Sequence, residues 1–275
     1  MLFEIDHLTR YRYSVPVQLG EHLLRFLPPF RAGQRPVYCR VDIDPLPSYR
    51  EEITDAWGNR VERVWFHGET GHLEVRAHLE VETQATNGPA LCWLPPGYGA
   101  AAAGLAPYLE PLDDPASLQS LVQPLLDASG NDGLAFLAAL NTAVHAYYHR
   151  GVRLDGPPHT PAQTLALGEG VCRDLTVLFM AAARLAGFAT RFVSGYQQGD
   201  GTRQVRYLHA WPEVCLPGGD WRGYDPTHGT SIGADHVAVA AAPTAAAVTP
   251  LEGGYSFQGT LLNSTLDTDI RITSR

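Results

Sequence analysis

The sequence predicts an α+β protein, with an antiparallel β layer first and then helices packed on a second antiparallel sheet. Three observations carry this reading. Residues 2 to 84 are rich in alternating apolar and polar runs broken by turns, residues 114 to 187 show helical spacing, and residues 190 to 226 return to strand-like runs. Helices grouped together and strands grouped after them exclude a doubly wound α/β chain, in which the two would alternate.

Strands are expected at 3–13, 36–43, 60–67 and 72–82. The last is clearest: Leu73, Val75, Ala77, Leu79 and Val81 alternate with Glu74, Arg76, His78, Glu80 and Glu82, which gives one apolar face. Trp57-Gly58-Asn59 and Glu69-Thr70-Gly71 read as turns. Several short strands joined this way predict a small antiparallel β-sandwich over residues 1–85. Residues 86–113 are dominated by Gly, Pro and Ala and read as a linker or irregular connection. Residues 114–275 hold every candidate catalytic group.

Asp114 followed by Pro115 starts a helix carrying Leu118, Leu121, Val122 and Leu125, which Pro124 should bend or end. Asn131 or Asp132 opens a second helix to about His149. Thr160-Pro161-Ala162-Gln163 is a capping box for a short third. The fourth begins at Cys172: Leu175, Leu178, Phe179, Ala182, Leu185 and Ala186 form one stripe, and Gly187 is placed to stop it in a left-handed cap. Strands are expected again at 190–196, 207–216 and 221–226. Residues 234–250 are weakly patterned, and 255–273 read as one or two closing strands.

A chain of 275 residues can bury a substantial core, and its 45% hydrophobic content is ordinary for a globular protein. The net charge of −9 argues against nucleic acid and anionic membrane surfaces as partners. No apolar run reaches the roughly 20 residues of a membrane-spanning helix. Four cysteines, at 39, 92, 172 and 215, are too sparse for a disulfide framework, and the alternating N-terminus does not read as a signal peptide. These features lead to the expectation of a reduced, cytoplasmic protein.

Cys172 sits at the first turn of its helix, where unpaired N–H groups and the helix dipole favour a thiolate. A thiolate nucleophile needs a base and a group to orient that base. His209, in His209-Ala210-Trp211, and Asp225, in Asp225-Pro226-Thr227, lie on two segments that should form a hairpin. A two-residue Gly218-Gly219 loop would set Asp225 across from Pro212 and turn it away from His209. A three-residue loop sets Asp225 across from Trp211, with His209 as its diagonal neighbour on the same face. The second register is expected. Cys172 is then the nucleophile, His209 the base and later the acid, and Asp225 the group that holds the imidazole tautomer. The Cys172 backbone N–H is an oxyanion candidate. Trp211 and His228 are substrate-cleft candidates.

Gly170-Val171-Cys172-Arg173-Asp174 with its apolar helix, then Arg191-Phe192-Val193-Ser194-Gly195-Tyr196, His209-Ala210-Trp211 and Asp225-Pro226-Thr227, resemble the transglutaminase-like superfamily of papain-like cysteine enzymes. His7 to Tyr13, Leu23 to Pro28 and Asp55 to Asn59 resemble the β-rich N-terminal domain of its bacterial members. The resemblance implies a papain/transglutaminase-like core with Cys172, His209 and Asp225 as the triad. It also implies acyl transfer at peptide-like amide bonds through a thioester, with a peptide or protein substrate and no cofactor. Hydrolysis is the expected outcome; a protein-crosslinking transamidase and a non-catalytic binding or scaffold module on the same fold are the alternatives. The sequence departs from the bacterial pattern at Ala242-Pro243-Thr244-Ala245, and Pro212 must either lie at a sheet edge or leave one ladder bond unmade.

The remaining polar residues have plainer readings. Asp174 is an acid in a first helical turn, and Gln163 belongs to the capping box rather than to an oxyanion hole. His145 and His149 are four apart on a helix, but Ala146 stands where a zinc-protease glutamate would be, so no metal site is assigned. A metal-dependent hydrolase using Cys172, His209 and His228 is the weakest reading. Cys39, Cys92 and Cys215 read as core or incidental thiols.

Overall fold

The structure is a computed structural model that describes residues 1–86, 102–130, 132–149, 153, 156–199, 206–259 and 261–275. Cys92, Asn131 and most of the expected connection lie outside the described residues. The part of that connection that is described includes a short helix, α1 (Ala102–Leu109).

The N-terminal strands are β1 (Leu2–Leu27), β2 (Gln34–Asp44), β3 (Tyr49–Thr54), β4 (Arg60–Trp65) and β5 (Glu69–Thr83). They form one continuous antiparallel sheet in the order β2-β5-β1-β4-β3. β1 is far longer than the 3–13 segment expected, and its pairing with β5 shifts register between Arg12 and Val17. Its first half pairs β5, and its second half pairs β4. One bent strand therefore serves two half-sheets, and the sandwich expected from sequence is a single curled sheet, a half-barrel. Phe3, Ile5, Leu73, Val75 and Leu79 from one half share a core with Leu24, Phe26 and Val64 from the other.

Two strands from the far end of the chain complete this sheet. β11 (Leu251–Ser256) and β12 (Ser264–Ser274) both pair antiparallel with β1. The sequence reading placed them with the catalytic half. Leu266, Asp267 and Thr268 carry no core-facing pattern of their own, so only their partner reveals where they belong.

The second half has α2 (Pro115–Ser129), α3 (Gly133–His145), α4 (Pro161–Leu167) and α5 (Cys172–Leu185). They lie against a sheet of β6 (Thr190–Gln197), β7 (His209–Cys215), β8 (Trp221–Asp225), β9 (Thr230–Ser231) and β10 (His236–Ala242), in the order β10-β6-β7-β8-β9. α2 runs through Pro124 instead of ending there. Leu121, Leu125 and Leu126 pack on the core on both sides of the proline, and that burial outweighs one lost helical bond. α3 stops four residues before the expected His149. α4 has its capping box and Gly168 in the left-handed cap, and Gly187 caps the end of α5 at φ 87°. α5 buries Leu175, Leu178, Phe179 and Ala182 against Phe136, Leu140 and Val214. Among the described residues no helix is long and apolar enough to cross a membrane.

The halves share a core as well as a chain. Tyr196, Val237 and Val239 of the second sheet pack into the first cluster. β10 lies at the edge of its sheet, and two side-chain amides from the N-terminal half cover that edge. Gln34 accepts from the Ala238 N–H at 2.8 Å and donates to the Ala238 carbonyl at 2.9 Å; Asn59 does the same for Ala241, at 2.8 and 3.1 Å. They satisfy buried backbone groups that would otherwise be orphaned. Gln34→Ala should lower unfolding free energy by about 1–3 kcal/mol, measured by urea denaturation, because it strands both Ala238 groups. A loss below a few tenths would show that this clamp does not hold the halves together.

Candidate active site

The segment before Cys172 is pinned first. Gly170 bridges to the end of α3, donating to the Tyr147 carbonyl at 2.8 Å and accepting from His149 N–H at 3.0 Å. Asp174, buried at the third helical position, reaches back to the Val171 N–H at 3.0 Å and also takes the His159 N–H and the Arg153 guanidinium. Its role is the structural one expected. These contacts start α5 at Cys172, which is half-buried and free. Its N–H sits where an α-helix offers no internal acceptor. Gln163 accepts from the Thr160 N–H at 2.9 Å, as its capping box requires.

The β7–β8 hairpin has the register expected from a three-residue loop. Glu213, Val214 and Cys215 pair Gly223, Arg222 and Trp221, and Leu216 N–H meets Asp220 carbonyl across Pro217-Gly218-Gly219. Leu216 points its backbone at β8, whereas Cys215 donates to Ala189 on the β6 side. By alternation Pro212 faces β8, and the ladder stops at Glu213–Gly223, one residue short of it. The missing N–H is the unmade ladder bond, and beyond it Tyr224 and Asp225 pair with β9 instead.

His209 Nε2 then lies 2.8 Å from Asp225 Oδ2. Cys172 lies within hydrogen-bonding and electrostatic reach of the same ring. With Nε2 committed to the carboxylate, Nδ1 is the nitrogen left for sulfur. Of the three expected residues, His209 and Asp225 are joined by a hydrogen bond, and Cys172 lies near the same ring. Burial pulls the His209 pKa down, but the Asp225 charge and hydrogen bond, with Cys172 beside it, outweigh this and push it up to about 10. Burial would likewise raise the Asp225 carboxyl. The His209 charge and the hydrogen bonds from three imidazoles instead hold it far below the usual carboxylate range.

Asp225 does more than serve His209. Its Oδ1 accepts the Thr227 and His228 N–H groups at 2.9 and 3.2 Å, an Asx turn set by Asp-Pro-Thr-His. Its Oδ2 takes His209, His228 Nδ1 at 2.7 Å and His236 Nε2 at 3.1 Å. α3 supports the turn from below: His145 Nδ1 lies 2.9 Å from the Pro226 carbonyl and Asn141 donates to Thr230. Sequence reading missed His236, His145 and Asn141 as contributors to this centre. Their only local signals were a histidine beside Asp235 and polar residues on an otherwise apolar helical stripe.

The other candidates separate. Trp211 is 1% exposed and packs against both the His209 and His236 rings, with centroids 5.9 and 5.2 Å away, so it supports the pair and does not line a cleft. Gly195 makes room for it, since a Cβ there would come 2.7 Å from the indole and 2.2 Å from the Val237 carbonyl. His228 lies at the rim with its side chain 45% exposed. His145 and His149 take different partners, Pro226 and Glu169. Cys39 and Cys215 have core surroundings, and burial raises both thiols.

His209, Asp225 and His228 offer two nitrogens and one oxygen within 4.8 Å, a donor set of the kind that binds zinc. The carboxylate oxygen is only 2.7 and 2.8 Å from the two nitrogens. Ligands about 2.0–2.1 Å from a tetrahedral ion stand farther apart than that. Those spacings are hydrogen bonds, so the donors as placed do not fit a metal.

A family model described as the transglutaminase-like superfamily matches residues 120–226. The second half of the chain has the fold of this superfamily. A second model, the bacterial transglutaminase-like N-terminal region, matches residues 3–82. The uncharacterised protein Rv2569c of Mycobacterium tuberculosis is 28% identical over 277 residues, spanning 91% of this chain and 86% of its own. A candidate cysteine protease from Cytophaga hutchinsonii has the same fold, with a TM-score of 0.75, 18% identity, and coverage of 99% of this chain and 90% of that one. The periplasmic domain of TgpA from Pseudomonas aeruginosa matches with a TM-score of 0.39 and 16% identity, over 80% of this chain and 87% of that one. The cytoplasmic expectation is withdrawn, because the composition that prompted it is equally compatible with a periplasmic protein. Sparse cysteines and acidic charge do not distinguish the two compartments.

The His209–Asp225 pair ties stability to pH. The folded His209 pKa, about 10, lies above its ordinary 6.5, so its contribution is complete below 6.5 and is lost as pH rises through 10. Thermal unfolding followed across that window should show stability falling, with His209→Gln flattening the fall. Parallel curves for the two proteins would refute the pairing.

Proposed function

We propose that this transglutaminase-like chain is a cysteine-dependent acyl-transfer enzyme that cleaves peptide-like amide bonds. The observation that supports the reading is the buried His209 ring, hydrogen-bonded to the Asp225 carboxylate with Cys172 near enough to influence its charge. In this reading His209 takes the Cys172 proton, and the thiolate attacks the amide carbonyl. The imidazolium then protonates the departing amine, leaving a thioester. Water activated by the same imidazole releases the acid and restores the thiol. Asp225 keeps the ring oriented and favours its charged form. The Cys172 N–H serves the oxyanion.

The hydrophobic cluster that includes Cys172 shares Leu112, Val177, Met180 and Ala245 with the lining of an open cavity of about 200 Å³ beside α5. Attack by an amine in place of water would make the same centre a transamidase.

Iodoacetamide should alkylate Cys172 well ahead of Cys39 and Cys215, as read by peptide mapping. Equal labelling of the three would defeat the reading. On any amide substrate recovered from a peptide library, Cys172→Ala should abolish turnover, and His209→Gln should reduce it by roughly 10³-fold or more. Supplying an amine acceptor separates the two outcomes: a new amide in the product marks transamidation, and free acid alone marks hydrolysis. Activity that vanishes with a chelator would point instead to a metal hydrolase.

A further inference from the structure

His236 has a geometry that its neighbours do not. Its ring is buried, with Nε2 3.1 Å from Asp225 Oδ2 and Nδ1 2.9 Å from Asp235 Oδ1. Both nitrogens face carboxylate oxygens. An anionic carboxylate only accepts, so with both acids ionised both ring nitrogens donate, which is the pattern of an imidazolium. The titratable groups around it are Asp225 on β8, Asp235 beside it, His209 on β7 with its centroid 5.9 Å away, and His228, which shares Asp225 Oδ2. Burial lowers its pKa, but hydrogen bonds and charge from Asp225 and Asp235 outweigh this and raise it above the ordinary value.

The N-terminal half holds this ring in place. Thr83 donates its hydroxyl to the Ala234 carbonyl, just ahead of Asp235. The Asp235 carbonyl takes the Gln198 N–H at 2.9 Å, and Gln34 grips Ala238 two residues beyond His236. The ring sits on a strand fixed from both sides, next to the one carboxylate that orients His209.

We propose that His236, anchored by Asp235, is a positioning residue for the catalytic centre: it pins Asp225 Oδ2 so that the carboxylate presents itself to His209 and His209 faces Cys172. The inference rests on the catalytic reading above. The working unit is then an alternating chain of acid and imidazole, Asp235–His236–Asp225–His209, ending on the Cys172 sulfur. The N-terminal sheet contributes to catalysis through β10 without touching substrate.

The test needs no substrate. The rate of Cys172 alkylation by iodoacetamide is followed against pH in the full chain, with folding checked by thermal melting. In the wild type the rate changes on an alkaline limb, where His209 loses its proton and the thiolate–imidazolium pair is lost. His236→Ala frees Asp225 to rotate, weakens its support of imidazolium, and should move the midpoint of that limb down by about one pH unit, a tenfold change in the His209 dissociation constant. His236→Gln keeps an N–H donor near Nε2 and should restore most of the shift. Asp235→Asn, at a side chain 42% exposed, should give a smaller shift in the same direction. A folded His236→Ala protein with an unmoved limb overturns the proposal. If that variant does not fold, an unmoved limb in Asp235→Asn overturns it instead. Lower melting temperature with no change in the limb marks a merely structural role, which also overturns it. Failure of the wild type to label selectively at Cys172 removes the catalytic reading and this one together. Selective labelling with an unmoved limb removes this one alone.

Discussion

One buried carboxylate sets the arrangement of the second half of the molecule. Asp225 has no exposure, and an ionised group so placed is tolerated only when its oxygens are fully paired. Two backbone N–H groups take Oδ1 and three imidazoles take Oδ2. Those donors come from β7, the turn after β8, and β10. Meeting the demands of one anion therefore brings three segments to one point, and Cys172 at the α5 N-terminus lies near the His209 ring. The low-dielectric surroundings make each of these bonds stronger, and make any unpaired member costly.

The N-terminal half is a structural partner of that centre as well as a neighbour in the chain. Gln34 and Asn59 close the free edge of β10, and the Arg31 guanidinium pairs with Glu213, which is buried on β7 and also held by Arg191 at 2.6 Å. Burial would raise the Glu213 carboxyl, but the two guanidinium charges hold it below its ordinary range. β7 carries His209 and β10 carries His236, so both strands of the site that face the N-terminal sheet are tied to it by charged or amide side chains. The return of β11 and β12 to β1 closes the arrangement.

Much of this was legible in the residues. Leu73 to Val81 announced a strand buried on one face. Thr160 to Gln163 announced a helix start, and Gly187 a helix end. Pro217-Gly218-Gly219 announced a loop whose length decides which face Asp225 shares. Those are local signals, governed by periods of two or 3.6 residues and by turn geometry. The misses have a different character. Pro124 reads locally as a bend or an end, and leucines packed on both sides of it exclude the end. Residues 236–242 read as a featureless alanine-rich run, because a strand of small residues shows no alternation; β6 on one side and Gln34 and Asn59 on the other make it a strand. Trp211 read equally well as cleft or core until its burial beneath two imidazoles decided the matter.

The sequence by itself determined the class of the fold, the order of the elements, the three chemical groups and the hairpin register that puts two of them on one face. Each follows from neighbours within a turn or a loop, where covalent geometry leaves few choices. Only the tertiary structure decided that Asp225 serves three histidines instead of one, that β1 bends to serve two half-sheets, and that the chain's last strands complete its first sheet. Those outcomes depend on groups far apart in sequence, held together by burying apolar surface and by pairing charge that water can no longer solvate.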